Sequence, residues 1–570
     1  MILSYDVVVI GAGGAGMMAA LNACEDKELK VACLSKIFPT RSHTGAAQGG
    51  INAAMGHLDP TDSPEKHFKD TVKGSDFLAD QDAVAFFTEK MPDVIHELDY
   101  YGVPFSRDEK GHVAQRPFGG ASSPRTCFSA DKTGHVILHS LYEQCLKKGV
   151  DFLNDSFLCS LVVTEQSVDG LVAMDIRSGE MVGIQAKAVV VATGGFGRIY
   201  WNRTTNAFNM TGDGTAACFH AGIPLKDPEF IQFHPTGLAS TGILLSEACR
   251  GEGGYLINKH GERFMSKYAP DKMELAPRDL VSRSIEMEIE AGNGFGQGID
   301  AYVLMDLRHL GEEKIMERLP QVRELAMDFE DVDLLKEPVP IRASCHYTMG
   351  GIHVSNPETL ATDIHGIHAA GECSCVSLHG ANRLGGNSVA DVVLFGKYAG
   401  IGARKTAQTR TLGNEESVRN EREKWETMFN DIRKRNTGIP AVDIRDRMAK
   451  TMWENVGIFR TREKMLKAEL EIDQLIQEYE FVSIDDDSKK HNMAFVHYAE
   501  LGNLLTLAKG VVMGALAREE SRGSHSRYDF PDRRDDQFLK HTLIRKHGNE
   551  YKLSYLDVKI TSYQPEARVY

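Results

Sequence analysis

The sequence predicts an α/β protein: a mostly parallel sheet interrupted by an α+β insertion, then a helical region and a small C-terminal one. Three observations predict it. A continuous apolar strand, Tyr5 to Ile10, runs straight into Gly11-Ala12-Gly13-Gly14-Ala15-Gly16 and a stretch rich in helix formers. Two further apolar runs, Ala188 to Ala192 and Gly366 to Ala370, end in Thr193-Gly194-Gly195 and Gly371-Glu372. Beyond about residue 400 the composition turns to helix formers.

The first of these is GxGxxG between strand and helix, the setting in which the motif has a mechanism. Gly11 permits the tight turn, Gly13 lets the backbone approach a pyrophosphate, and Gly16 lets helix pack closely on strand. The helix N-terminus then presents free N–H groups to phosphates. An acid for the ribose is expected about 20 residues on; here the second strand, Lys30 to Leu34, closes on Ser35-Lys36 instead. A hydroxyl and a backbone can hold a ribose, but the departure argues against NAD. Residues 65–150 read as helices and loops. Strand, glycine, then acid at Gly371-Glu372 is a pattern that places a carboxylate on the ribitol or ribose of FAD.

Strand ends so far apart in sequence imply a Rossmann-like FAD-binding domain (1–229 and 346–400) interrupted by an α+β capping domain (230–345). A helical domain (401–510) and a C-terminal domain (511–570) follow. Met448, Met452 and Val456, then Leu466 and Leu470, recur at helical spacing and read as core packing. The last part mixes a charged stretch, Arg518 to Asp536, with alternating strands such as Tyr551 to Ile560.

A chain of 570 residues should hold two to four domains. No uninterrupted apolar run reaches the roughly 18 residues of a membrane span. The N-terminus enters a strand at once, so no targeting segment is expected and the chain should stay where it is made. Ten cysteines, without any CxxC, predict reduced thiols in a cytoplasmic setting and no metal cluster; Cys373-Ser374-Cys375 lacks partners at ligand spacing. A net charge of −15 opposes nucleic-acid binding, so an anionic substrate needs local positive charge.

After the first βαβ unit comes Arg41-Ser42-His43-Thr44-Gly45-Ala46-Ala47-Gln48-Gly49-Gly50. It combines one histidine, hydroxyls and small residues that let a backbone approach something flat, read here as a flavin ring with His43 as its tether. Other constellations fall in or beside the insertion. In Gln232-Phe233-His234-Pro235-Thr236-Gly237 the proline stiffens the backbone that aims His234. Ser246-Glu247-Ala248-Cys249-Arg250 sets Glu247 and Arg250 three apart, neighbours on a helix. Pro277-Arg278-Asp279, Cys345-His346-Tyr347 and Ala381-Asn382-Arg383-Leu384-Gly385 add two arginines and a second histidine. Each alone has a bland reading as solvation or an ordinary ion pair. Together they describe a cationic pocket, and arginine forks bind carboxylates bidentately, so a small dicarboxylate is the natural ligand.

These motifs, from GAGGAG through RSHT…AQGG, QFHPTG, SEACRGEGG, CHYTMGG and HGANRLGGNS, resemble the flavoprotein subunit of succinate dehydrogenase and quinol:fumarate reductase over essentially the whole chain. The resemblance implies covalent FAD on His43 through an 8α bond. It implies FAD contacts at Gly11, Ala12, Gly13, Gly14, Ala15, Gly16, Ser35, Lys36, Ser42, Thr44, Gln48, Gly49, Gly50, Asp213, Glu372, Ser388 and Val389. By the same matching His234, Ser246, His346 and Arg383 bind the substrate carboxylates, Arg278 transfers the proton, and Glu247 and Arg250 relay it. Ser246 stands where threonine is common, keeping the hydroxyl, and Gly45 where a small apolar residue is more usual. The implied reaction interconverts succinate and fumarate. The implied partners are an iron–sulfur subunit and membrane anchor subunits with quinone. The implied location is peripheral, on the cytoplasmic face of a prokaryotic cell membrane. The nearest alternative is L-aspartate oxidase, a soluble relative without the tethering histidine. A non-catalytic FAD-binding scaffold is the alternative of another class, and it has no use for two histidines and the arginines together.

Overall fold

The computed structural model describes residues 1–435, 437–548 and 550–567. Its largest sheet is built around the strand Ile2–Ile10, which pairs in parallel with Val31–Leu34 on one side and with Glu180–Val191 on the other. Glu180–Val191 is long enough to carry two partners along its far edge. Residues 180–185 pair antiparallel with Ser167–Asp175, and residues 189–191 pair in parallel with Ile367–Ala369. That second pairing brings Ile10, Val191 and Ala369, far apart in sequence, to one end of one sheet. The expected strands are thus present, the first starting earlier at Ile2 and the third shorter.

The helix Gly14–Ala23 is buried along its whole length and packs on Asn387–Thr409, which crosses it where both are small. A Cβ on Gly396 would stand 2.5 Å from the carbonyl oxygen of Ala15, and one on Gly400 2.2 Å from that of Ala19. Gly16 is tighter still, with a Cβ there 1.7 Å from the carbonyl oxygen of Gly11. Gly16→Ala is therefore expected to cost about 3 kcal/mol of stability or more, read as a lowered thermal midpoint and a loss of copurifying FAD.

Residues 65–150 contain the expected helices, Pro64–Gly74, Gln81–Tyr100 and Thr133–Lys148, but also two short strands, Gln115–Arg116 and Thr126–Cys127. A separate four-stranded sheet orders Ile231–Leu238, Val339–Thr348, Val303–Asp306 and Tyr255–Ile257. It has its own apolar cluster, including Leu238, Val281, Ile285 and Met305.

The later helices Ala441–Val456, Arg462–Tyr479 and Met493–Ala517 share a core in which Met448, Met452 and Val456 are buried. Leu466 and Leu470 depart from expectation: they are 37% and 74% exposed. Their helix instead buries Met465, Ala468, Ile472 and Leu475, a competing face at equally good helical spacing, one position round. Met493–Ala517 is long and apolar enough by length and composition to cross a membrane, which a search for uninterrupted apolar runs misses, yet 67% of its most apolar stretch is buried inside the protein.

At the C-terminus Glu550–Asp557 pairs with Lys540–His547, and that hairpin joins Leu225–Lys226. The charged stretch before it buries three of its arginines. Arg518, Arg522 and Arg527 are fully buried and ion-paired with Glu229 and Glu520, with Glu520 and Asp535, and with Asp529 respectively.

Candidate active site

One continuous cavity begins at the glycine loop. Gly11 adopts φ +105° there, and a Cβ would fall 2.2 Å from the Ala192 carbonyl oxygen, so only glycine fits where two strand ends meet. The His43 loop is stitched to it: Thr44 Oγ1 accepts from the Gly14 N–H at 3.1 Å, and Ser42 Oγ donates to the Ala12 carbonyl at 2.9 Å. The hydroxyls of Ser42 and Thr44, expected as cofactor contacts, thus also hold loop to loop. Gly11 to Ala15, Ser35, Lys36, Gln48, Gly49, Gly50, Ser388 and Val389 all line the cavity. Gly16 does not; its place is the close helix packing described above.

Several polar atoms along this groove have no partner among the described residues. His43 Nδ1, Gln48 Oε1 and Thr193 Oγ1 are buried without a hydrogen bond among the described residues, although buried polar groups are ordinarily paired. Burial, with the Arg198 charge behind it, pushes the His43 imidazole down to about 4, leaving it neutral at neutral pH. These orphans, beside a cradle that admits only glycine, fit a dinucleotide cofactor.

Lys36 and Asp213 do more than line the groove. Lys36 Nζ bonds Asp213 at 2.7 Å, Thr211 Oγ1 at 2.8 Å, and Glu500. Burial alone would lower the Lys36 ammonium, but the two carboxylates outweigh it and raise it. Glu500 comes from the helix Met493–Ala517, and no local pattern links it to Lys36. Glu372 accepts from the Thr348 N–H at 3.0 Å, and burial pushes its carboxyl up to about 7.

The same cavity that holds His43 is lined by His234, Ser246, Glu247, Arg278, His346 and Arg383. His234 sits on the strand Ile231–Leu238, where its Nδ1 accepts from the Thr236 N–H at 3.2 Å. The proton is therefore on Nε2, as a donor. Burial, then the charges of Arg278 and other neighbours, holds this imidazole well below the usual histidine range. His346, on the paired strand Val339–Thr348, is fixed by Thr205 Oγ1 at 2.8 Å, and the two imidazoles lie 4.9 Å apart. His346 is likewise lowered by burial and by Arg278 and Arg383.

Arg278 opens the helix Arg278–Glu290. Its Nε and Nη2 both bond Glu247 Oε2, at 2.8 and 2.5 Å, which leaves Nη1 unclaimed by a carboxylate. Arg250 stands behind Glu247, outside the cavity wall: its Nη2 is 3.2 Å from Glu247 Oε1, and its Nη1 donates to the Glu274 carbonyl at 2.7 Å. Burial alone would raise the Glu247 carboxyl; the guanidiniums of Arg278 and Arg250 outweigh it and hold the group below the usual range. Arg383 is buried over the Tyr347 ring, 4.5 Å from its centroid, and has no carboxylate within ion-pair distance among the described residues. Burial, with the Arg278 charge, brings it down to about 10, still cationic at neutral pH.

Sequence reading missed Thr205, Thr236 and Gln232, which position His346, His234 and the two arginines. Thr236 and Gln232 lie within the QFHPTG motif and were findable by proximity; Thr205 carries no such signal.

Because the glycine loop and the arginines share one cavity, the fold and the site define a dinucleotide-dependent oxidoreductase of an anionic substrate. Residues 6–389 match the FAD binding domain family, and residues 445–570 the fumarate reductase flavoprotein C-terminal family. The chain is 46% identical to the 8-methylmenaquinol:fumarate reductase flavoprotein subunit of Wolinella succinogenes, over 100% of this chain and 93% of that one. It is 43% identical to the succinate dehydrogenase flavoprotein subunit of Rickettsia bellii, over 99% and 97%. Its structure superposes on a chain of Escherichia coli quinol fumarate reductase with TM-score 0.96 and 42% identity, covering 100% of this chain and 99% of that one. The chain belongs to the family of succinate dehydrogenase and fumarate reductase flavoprotein subunits, whose FAD binding domain model covers residues 6–389.

Proposed function

We propose that this chain interconverts succinate and fumarate, with FAD bound covalently through His43. The observation that carries the substrate class is Arg383, a buried guanidinium facing the cavity with no carboxylate beside it among the described residues. A buried charge left unpaired is costly, so the site calls for an anion. His234, Ser246 and His346 face the same space, enough donors for two carboxylates.

Bound FAD supplies the hydride acceptor. The protein's part is positioning and charge. Clamping both carboxylates orients the reacting C–H bond, and the arginines stabilise negative charge that develops on the carbon losing its proton. Arg278 holds or delivers that proton at its guanidinium, whose Nε and Nη2 are held by Glu247. A guanidinium is a far better proton donor than base, so Glu247 and then Arg250 relay the proton between Arg278 and solvent. Residues 230–345 act as a cap that brings His234, Ser246, Glu247 and Arg278 over the FAD-binding part. The chain sits peripherally on the cytoplasmic face of a prokaryotic membrane, and an iron–sulfur subunit and quinone-binding membrane anchors exchange the electrons. This accords with relatives that are themselves named as subunits.

Arg383→Leu tests the reading. Removing charge-assisted hydrogen bonds worth about 1.5–3 kcal/mol each is expected to raise the succinate KM about a hundredfold, with FAD content unchanged. An unaltered KM would overturn it.

A further inference from the structure

We infer that Gln232 is the positioning residue that couples the two substrate-side arginines, holding them together with one neutral oxygen; this deepens the dicarboxylate reading and rests on it. Gln232 is fully buried in the strand Ile231–Leu238. Its Oε1 accepts from Arg383 Nη2 at 3.0 Å and faces Arg278 Nη1 at 3.4 Å. Its Nε2 donates to Asn382 Oδ1 and to the Arg383 carbonyl, both at 2.9 Å. The amide orientation follows from its partners, since guanidiniums only donate and a backbone carbonyl only accepts. Both ends of the side chain are thus spent on the protein, and most of its bonds go to Arg383 or the residue before it.

The arrangement answers a physical problem. Two guanidiniums at the end of one buried cavity repel each other. Arg278 has Glu247 to hold it; Arg383 has no ion-pair partner among the described residues. An acceptor between them keeps both aimed at the same ligand. A carboxylate would bind both more strongly, but it would cancel one of the positive charges that a dianion needs. Glutamine bridges them and leaves the charge intact.

Charge arithmetic makes the idea testable. A negative charge at this position repels each charge on the ligand, so the factor lost by a dianion should be about the square of that lost by a monoanion. The experiment uses FAD-loaded protein, with flavin absorbance to verify occupancy, and measures binding of malonate and of its monomethyl ester. Gln232→Glu is expected to weaken malonate about a hundredfold and the monoester about tenfold. Gln232→Met, which removes the bridge without adding charge, is expected to lower kcat at least tenfold, with KM moved less than kcat. Equal losses for the two ligands in Gln232→Glu, or wild-type kcat in Gln232→Met, would overturn the bridge. Should the glutamate variant lose FAD, kcat of the methionine variant decides alone. Failure of the wild-type protein to bind malonate would instead overturn the dicarboxylate reading, an outcome visible before any variant is made.

Discussion

Arg278→Gln is expected to lower turnover about 10³-fold with FAD still bound, a larger factor than the roughly hundredfold loss of dicarboxylate affinity that removing one cavity charge brings. The size is that of losing a positioned proton-transfer group, typically 10²–10⁴. The geometry separates this role from simple clamping: Nε and Nη2 of Arg278 are both committed to Glu247 Oε2, whereas Arg383 has no such tie. Arg278→Lys is the sharper comparison. It keeps a positive charge but loses the planar fork that reaches Glu247 and the substrate side at once, so it should recover little. Should both variants keep most turnover at saturating succinate, Arg278 is an electrostatic residue and the relay through Glu247 and Arg250 falls with it.

The second large effect is expected at His43. His43→Ser should still bind FAD, because the glycine loop, Lys36 with Asp213, and the other lining residues of the groove are untouched. It should retain fumarate reduction but lose at least a hundredfold in succinate oxidation. Carbon substitution by an imidazole withdraws electrons from a flavin and favours its taking up hydride from an unactivated C–H bond. For a two-electron couple each ~30 mV is a factor of ten, so a drop of ~60 mV accounts for the loss. Acid precipitation reports the bond itself: flavin stays with the wild-type pellet and moves to the supernatant in His43→Ser. Flavin in the wild-type supernatant would sink the tether, and full succinate oxidation by the variant would reduce His43 to an anchor.

How much of this was legible in the sequence varies with how local each signal is. Strand Tyr5 to Ile10 and the glycines after it announce themselves because strand, turn and helix contact are all made within a few residues. The stripe Met448, Met452, Val456 was legible for the same reason, and both leucines after it were misread for an equally plain one. Arg462–Tyr479 offers two adjacent apolar faces, and only the neighbouring helices choose Met465, Ala468, Ile472 and Leu475. In the run Arg518 to Asp536 nothing local says which charges are buried; Arg518, Arg522 and Arg527 are, because Glu229, Glu520, Asp529 and Asp535 meet them there.

The sequence by itself determined the class of cofactor, the candidate tether at His43, and the kinds of side chain available to a dianion. Those follow from residue chemistry and from periodicities a few residues long. Only the tertiary structure decided that Arg278 and Arg383 share one oxygen of Gln232, that Glu247 stands between Arg278 and Arg250, and that Lys36 is held by Glu500 from the far end of the chain. The worth of a charge depends on what is buried beside it, and burial is settled by packing between segments hundreds of residues apart.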